Sequence, residues 1–230
     1  MVLKIVRTVW PVMLTYVAIG APCGMIMGQT GMEPWMVFAL SSTFVTGSGQ
    51  FMICNLWLAG VPAASIVASV AAISSRFALY SASIAPHLTG ASKRQTLAVA
   101  ATLTEEAYGI SLAKLVEGDD WGPRESFALN VILIATWGVS CTMGAVVGAV
   151  IDVPTAIAGF VCTSLFICLL FSQRLSRGNV VAAVSGAVSV AICKFFGWTN
   201  VAVPVSVLVG VAVALACDAL TDGRGARDAR

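Results

Sequence analysis

Long stretches without a charged residue constrain this chain most. No Asp, Glu, Lys or Arg occurs at 8–32 or at 34–75, and similar runs follow at 126–151, 153–173, 178–193 and 195–217. An α-helix needs about 20 apolar residues to cross the roughly 30 Å of hydrocarbon in a bilayer. The sequence therefore predicts an all-α fold, a polytopic helix bundle integral to a membrane.

The composition excludes several other classes. Only 10% of the residues are charged and the mean hydropathy is +0.92, whereas soluble domains are about 25% charged. The 13 Lys/Arg and 11 Asp/Glu lie mostly in short connectors, so no basic face for nucleic acid is expected. The seven cysteines form no C-x-x-C pair and lie mostly in apolar runs, where Cys behaves as a small hydrophobic residue.

Seven or eight membrane segments are predicted within a single transmembrane domain covering residues 1–230. They lie near 8–29, 34–58, 62–86, 97–116, 126–151, 154–173, 178–195 and 201–219, and a short charged cytoplasmic tail follows at 220–230.

The positive-inside rule orients the bundle. With eight segments and both termini cytoplasmic, nine of the 13 Lys/Arg lie inside, whereas Lys93, Arg94 and Lys194 lie outside. If one of the first three segments only dips into the bilayer and returns, the count is seven and the Lys93–Arg94 pair moves inside. Five of the six Trp residues fall near segment ends, as expected at the headgroup level. Only Trp137 is mid-span.

The sequence Gly47-Ser48-Gly49-Gln50 is the first unusual feature inside a predicted segment. If the helix unwinds there, free N–H groups at a half-helix N-terminus can hold a carboxylate, as in the discontinuous helices of transporters. The alternative is close helix packing, with Ser48 and Gln50 hydrogen-bonded to a neighbour. Broken or re-entrant helices are accordingly predicted in the N-terminal half.

Arg76 is the second unusual feature, because it lies 14 residues from Pro62 and ten from Pro86, deep in the third predicted segment. A guanidinium at that depth needs a buried carboxylate partner or a carboxylate substrate. Two interpretations stay open: a permanent salt bridge to Glu105 or Glu106, which can also act as a gate, and a substrate site.

The adjacent acids Glu105 and Glu106 are the third unusual feature inside a predicted segment. Adjacent helical residues point about 100° apart, so one of the two at most can easily line a given cavity. A carboxyl group in a low-dielectric environment can exchange a proton near neutral pH, as a proton-coupled carrier requires. The alternative is a loosely inserted helix with both acids near water.

No motif for enzymatic chemistry accompanies these residues. The chain lacks G-x-x-x-x-G-K-[ST], G-x-S-x-G and H-E-x-x-H, and its one histidine, His87, has no neighbours at metal-ligand spacing. The sequence predicts neither an enzyme, a cofactor nor a metal site.

The same residues carry a resemblance to the AzlC family, the large subunit of bacterial branched-chain amino-acid exporters. The matching positions are Pro11, Gly24, Gly28, Gly31, Ser41, Gly47–Phe51, Arg76, Leu79–Pro86 and Thr104–Glu106. Two positions depart from the family pattern: Ser74 stands where Asn is usual, and Glu105 replaces Asp.

The resemblance implies a secondary transporter in the bacterial cytoplasmic (inner) membrane, working with a small AzlD-like membrane subunit. It implies export of apolar amino acids such as valine, leucine, isoleucine or methionine. The expected substrate-binding residues are Gly47, Ser48, Gly49, Gln50, Arg76 and Tyr80, and the expected proton-coupling or ammonium-binding residues are Glu105 and Glu106. A channel or pore subunit and a noncatalytic membrane scaffold are the alternatives.

Overall fold

The computed structural model describes residues 1–88, 90–118, 121–150, 177–198 and 202–228, with residues 160, 163, 164 and 167 in addition. Across these residues every regular element is helical, and no strand occurs. By length and composition, four helices can cross a membrane: Val2–Gln29, Ala63–His87, Pro123–Val150 and Gly178–Phe195. The all-α membrane class is thus confirmed, whereas the count of seven or eight segments stays a prediction.

From Val2 to Val150 the helices follow one another with short connections. In chain order they are α1 (Val2–Gln29), α2 (Pro34–Thr43), α3 (Gly47–Leu58), α4 (Ala63–Ser74), α5 (Arg76–Ile84), α6 (Lys93–Ala101), α7 (Glu105–Glu117), α8 (Pro123–Val150), α9 (Arg177–Phe195) and α10 (Ala202–Asp228). A turn at Ser75 separates α4 from α5, and a 3₁₀ turn, Ala85–His87, follows α5; these elements together make up the span Ala63–His87. The segment predicted at 154–173 lies almost wholly outside the described residues.

Two compact units divide the chain. The first comprises Met1–Leu58 and Ser74–Thr163, and the second comprises Ala59–Ile73 and Ser164–Arg230. In the second unit α9 packs on α10, where Gly210 lies against Ala182 and Gly186. The single domain predicted over residues 1–230 stays a prediction.

Helices α1 and α8 form the central pair of the first unit. The residue numbers of contacting positions increase together along both helices, from Gly20 beside Ser140 to Gly28 beside Ala145. The two helices therefore run parallel. A Cβ at Gly24 would overlap the carbonyl oxygen of Cys141. Small residues allow such close approach where no hydrophobic effect drives helices together in lipid, and the glycine spacing in α1 serves this packing.

Two predicted segments are broken helices. The segment at 34–58 divides into α2 and α3, and Phe44–Thr46 lies between them. The segment at 97–116 divides between α6 and α7 at Thr102–Thr104. A threonine caps the second helix each time: Gly49 N donates to Thr46 Oγ1 at 3.2 Å, and Ala107 N donates to Thr104 Oγ1 at 3.1 Å. Such caps satisfy N–H groups that a helix start leaves free.

The end of α6 is tied to α8 by an amide. Asn130 donates from Nδ2 to the carbonyl oxygen of Val99 and to Thr102 Oγ1, both at 3.0 Å. Asn130 is completely buried. A carbonyl at a helix end has no partner within its helix, so this side chain helps to hold the break within the bundle.

Helices α6 and α7 form a hairpin, in which the start of α6 and the end of α7 both lie near the start of α8. Arg94 near the start of α6 and Arg124 at the start of α8 line one cavity. Trp121, shortly after α7, lies 5.9 Å from the Lys4 ammonium of α1. The break itself lies deeper, because Thr104 contacts Tyr16, which is about 18 Å along α1 from Lys4 at 1.5 Å per residue.

This hairpin differs from the expectation for eight segments, which put Arg94 and Arg124 on opposite sides of the membrane. Both arginines lie at the Lys4 end of the α1–α8 pair. The physical reason is the break at Thr102–Thr104, which lets α7 return toward the end at which α6 began.

Candidate functional site

Arg76, Ser48 and Glu105 form a charged cluster at the starts of three helices, and we call it the Arg76 cluster. Arg76 Nη2 lies 2.8 Å from Glu105 Oε2 and donates to Ser48 Oγ at 2.9 Å. The side chains of Arg76 and Glu105 are 29% and 28% exposed. The cluster therefore joins α3, α5 and α7 while leaving part of the ion pair accessible.

The two helix breaks bring Ser48 and Glu105 to Arg76. Ser48 is in the first turn of α3 and Glu105 is the first residue of α7. A helix N-terminus carries a partial positive charge, which favours Glu105 but opposes a guanidinium nearby. The first turn of α7 carries two carboxylates, Glu105 and Glu106, and Glu105 is the one in contact with the Arg76 guanidinium.

One hydrogen-bond donor of the Arg76 guanidinium is unused among the described residues. Its Nε is a buried atom without a hydrogen-bond partner among the described residues, and so is Ser74 Oγ two positions earlier. Most buried polar atoms in proteins are hydrogen-bonded, and exceptions need an explanation such as a water or a ligand. The sequence left a permanent salt bridge and a substrate site open for Arg76; the structure contains the salt bridge to Glu105, and the substrate site stays a prediction.

Glu106 belongs to a different group of residues. Its Oε2 accepts a 2.6 Å hydrogen bond from the Tyr16 hydroxyl, which also contacts Thr104 Oγ1 at 3.2 Å. The Tyr16 ring packs edge to face on Trp137, with the ring centroids 5.3 Å apart. The two adjacent glutamates thus have different partners, as their 100° separation on a helix requires.

Gln50 lies in a second polar group, which we call the Gln50 cluster: Ser41, Phe44, Gln50 and Trp137. The Gln50 Oε1 accepts hydrogen bonds from Trp137 Nε1 at 2.9 Å and from Ser41 Oγ at 3.2 Å. The Gln50 Nε2 donates to the carbonyl oxygen of Phe44. Gln50 is completely buried. These bonds hold the break between α2 and α3 in place.

Gly47 and Gly49 serve the same break. A Cβ at Gly47 would lie 2.9 Å from the Trp137 ring, and one at Gly49 would lie 2.9 Å from the Thr46 side chain. Of the four residues predicted in this motif, only Ser48 is brought to Arg76.

Tyr80 lies in an aromatic group beside the Arg76 cluster. It stacks on Tyr108, with the ring centroids 4.6 Å apart, and meets Phe77 edge to face at 5.8 Å. The Arg76 guanidinium lies 5.4 Å from the Phe77 ring centroid. This group offers an apolar surface next to the ion pair, and its rings are only partly buried.

Sequence reasoning missed Tyr16 and gave Trp137 no role. The available signal was position: Trp137 is the one Trp in mid-span, and Tyr16 carries a hydroxyl in the middle of the first apolar run. A buried hydroxyl or indole N–H usually finds a partner. In the part of the chain that the structure describes, no three His, Cys, Asp or Glu side chains are grouped so as to hold a metal ion.

Four described helices that are long and apolar enough to cross a membrane define a polytopic helical membrane protein, and a partly exposed Arg76–Glu105 ion pair lies within it. Residues 11–151, more than half of the chain, match the family described as AzlC protein. The chain belongs to the AzlC family, and this match confirms the resemblance seen in the sequence. AzlC is not a known enzyme family.

A curated relative extends the likeness. The inner membrane protein YgaZ of Escherichia coli (strain K12) is 25% identical over 209 residues, which cover 87% of this chain and 82% of YgaZ. No solved structure matches the chain. The family and this relative together indicate a membrane location and a membrane transport role.

Proposed function

We propose that this protein is a secondary transporter that exports branched-chain or similar apolar amino acids across the bacterial cytoplasmic membrane. The proposal includes coupling to protons, a small AzlD-like membrane partner and cytoplasmic termini. The observation that carries it is the Arg76 cluster: a partly accessible ion pair between the starts of two helices, with an Arg76 Nε that has no hydrogen-bond partner among the described residues.

A zwitterionic substrate fits this charge arrangement. Its carboxylate takes the place of Glu105 on Arg76, where the guanidinium offers a planar pair of donors. The released Glu105 carboxylate then binds the substrate ammonium. The Arg76 guanidinium, the substrate carboxylate, the substrate ammonium and the Glu105 carboxylate then alternate in sign. Neither the protein nor the substrate leaves an uncompensated charge in lipid, where such a charge is costly.

The aromatic group beside Arg76 supports an apolar substrate side chain. Phe77, Tyr80 and Tyr108 form a partly buried surface adjoining the guanidinium. Binding sites for small molecules typically combine an apolar wall with a few placed polar groups. A polar side chain would lose its hydration against these rings, which disfavours hydrophilic amino acids.

Glu106 is proposed as the proton-coupling residue. Its carboxyl is held by the Tyr16 hydroxyl and not by the Arg76 guanidinium. A proton on Glu106 would therefore leave the Arg76–Glu105 pair intact. This separation lets substrate and proton occupy the same helix start without competing for one carboxylate.

Efflux of labelled amino acids tests the proposal. Vesicles containing the protein, with and without an AzlD-like partner, are preloaded with valine, leucine, methionine or serine, before and after collapse of the proton gradient. Saturable loss of the apolar amino acids that needs the gradient is expected, together with counterflow. Conduction without saturation or counterflow would identify a channel, and no efflux from the inserted pair would reject transport of these substrates.

Variants assign the roles within that assay. Arg76→Ala and Glu105→Gln are expected to abolish efflux while the protein still inserts. Arg7→Gln, which removes an exposed arginine of α1, is the matched control and retains it. Wild-type efflux from Arg76→Ala would refute the proposed substrate site.

A further inference from the structure

A cavity of about 290 Å³ opens between the starts of α6 and α8, apart from the Arg76 cluster. It is lined by Arg94, Gln95, Ala98, Pro123, Arg124 and Phe127. Both arginines are exposed and come from different helices. The cavity therefore presents two positive charges at one end of the α1–α8 pair.

Neither arginine has an ion-pair partner within the described ranges. The salt bridges there are Arg76–Glu105 and Lys114–Glu117. The neighbouring Glu125 carboxylate accepts a hydrogen bond from the backbone N–H of Gly122 at 3.1 Å. Two guanidinium groups around one cavity repel each other, and an anion that binds both removes this repulsion. Their planar donor sets suit the oxygens of a phosphate group.

The surroundings favour a phosphate that carries hydrocarbon chains. Phe127 lines the cavity and is 40% exposed, and α8 continues with Val131, which is 44% exposed. Leu97 of α6 is 69% exposed. Trp121 and Lys4 lie at the same end, as expected where a helix bundle meets the headgroups. Basic pockets between membrane helices are known places for anionic headgroups.

We propose that this cavity binds an anionic phospholipid, with its phosphate held by Arg94 and Arg124 and an acyl chain along Phe127. The bound lipid joins the start of α6 to the start of α8. Because α6 and α7 form one hairpin, the lipid also stabilises the helix that presents Glu105. This inference concerns binding and folding, and it stands whether or not the protein transports amino acids.

Thermal unfolding of the full chain in detergent tests the proposal. Added phosphatidylglycerol is expected to raise the melting temperature more than phosphatidylcholine at the same concentration. Arg94→Gln/Arg124→Gln should weaken the apparent affinity for phosphatidylglycerol at least about tenfold, since two charge-assisted contacts are lost. Lys93→Gln and Arg7→Gln, which remove charges outside the cavity lining, should leave the affinity unchanged.

Three results would overturn it. Equal shifts from the two lipids would exclude recognition of the charge, and an unchanged affinity in the double variant would exclude this cavity. An equal shift from inorganic phosphate would identify a site for free phosphate and not for lipid. Native mass spectrometry of the wild-type protein gives a readout that needs no variant: phosphatidylglycerol should be retained in preference to phosphatidylcholine.

Discussion

The Gln50 cluster and the Arg76 cluster both involve the first turn of α3, but they differ in charge, exposure and hydrogen bonding. Gln50 is completely buried, and both polar atoms of its side chain are hydrogen-bonded. The Arg76 cluster contains opposite charges, is partly exposed, and includes an Nε without a partner among the described residues. A satisfied buried network rigidifies a fold, whereas an accessible ion pair with bonding capacity can exchange partners with a ligand.

The comparison teaches that polar residues at mid-depth need not share one role. Ser48 and Gln50 are two positions apart in one motif, yet Ser48 contacts Arg76 and Gln50 supports the break before α3. Four predictions break or sharpen this division, beginning with the largest expected effect.

Removing the whole ion pair should separate transport from folding. Arg76→Ala alone leaves the Glu105 carboxylate unpaired, whereas Arg76→Ala/Glu105→Ala leaves no uncompensated charge. We expect the double variant to reach the wild-type amount in the membrane but to transport less than about 1% as fast, because two charged substrate contacts of about 1.5–3 kcal/mol each are lost. Quantitative immunoblotting and efflux measure the two properties, and near-wild-type efflux in the double variant would make the pair merely structural.

Gln50→Leu should act on stability instead of transport. It leaves the Trp137 N–H, the Ser41 hydroxyl and the Phe44 carbonyl without their partner, at a cost of about 1–3 kcal/mol for each buried group. We expect a lower melting temperature in detergent and an unchanged apparent affinity for the transported amino acid. A large loss of affinity in protein that remains folded would instead assign Gln50 to the substrate, as the sequence predicted.

Tyr16→Phe should have an intermediate effect. The variant keeps the ring contact with Trp137 but removes the hydroxyl that binds Glu106. A hydrogen bond to a charged group contributes about 1.5–3 kcal/mol, so proton-coupled transport should fall roughly tenfold. Counterflow without a proton gradient should change much less, and an equal loss in both assays would mean that Glu106 acts on substrate binding.

Tyr80→Phe should have the smallest effect. No hydrogen bond of the Tyr80 hydroxyl is found in the described part of the chain, whereas the ring stacks on Tyr108. The rate should therefore change less than about twofold, the scale of a few tenths of a kcal/mol. Tyr80→Ala, which removes the ring, should raise the concentration needed for half-maximal efflux of leucine. A large effect of Tyr80→Phe would point to a direct contact of the hydroxyl with substrate.

The sequence predicted that the second apolar segment is discontinuous, but it placed the break a few residues too late in the chain. Gly47 and Gly49 suggested unwinding within the motif, whereas the break lies at Phe44–Thr46 and the motif begins α3. The two glycines allow close approach by Trp137, Thr46 and Phe44. For Gly49 the close neighbours are local, but for Gly47 the neighbour is Trp137 of α8, which lies 87 positions from Gln50 along the chain and which local sequence does not reveal.

Broken helices were predicted for the N-terminal half, but the position of the second break at Thr102–Thr104 was not. Thr104 caps α7 and Asn130 of α8 ties the end of α6. A threonine within an apolar run is a weak local signal, because the hydroxyl can equally bond within a continuous helix. Only the neighbouring α8 supplies the amide that stabilises the interrupted backbone.

The sequence by itself determined the membrane class, the helical architecture and the few residues whose polarity needs an explanation at mid-depth. Hydropathy and charge suffice for this, since the cost of burying a charge or a free backbone group depends mainly on residue type. Tertiary structure decided that Glu105 binds Arg76 while Glu106 binds Tyr16. Neighbouring residues on a helix point about 100° apart, and only the packing of α1 and α5 around α7 fixes what each direction meets.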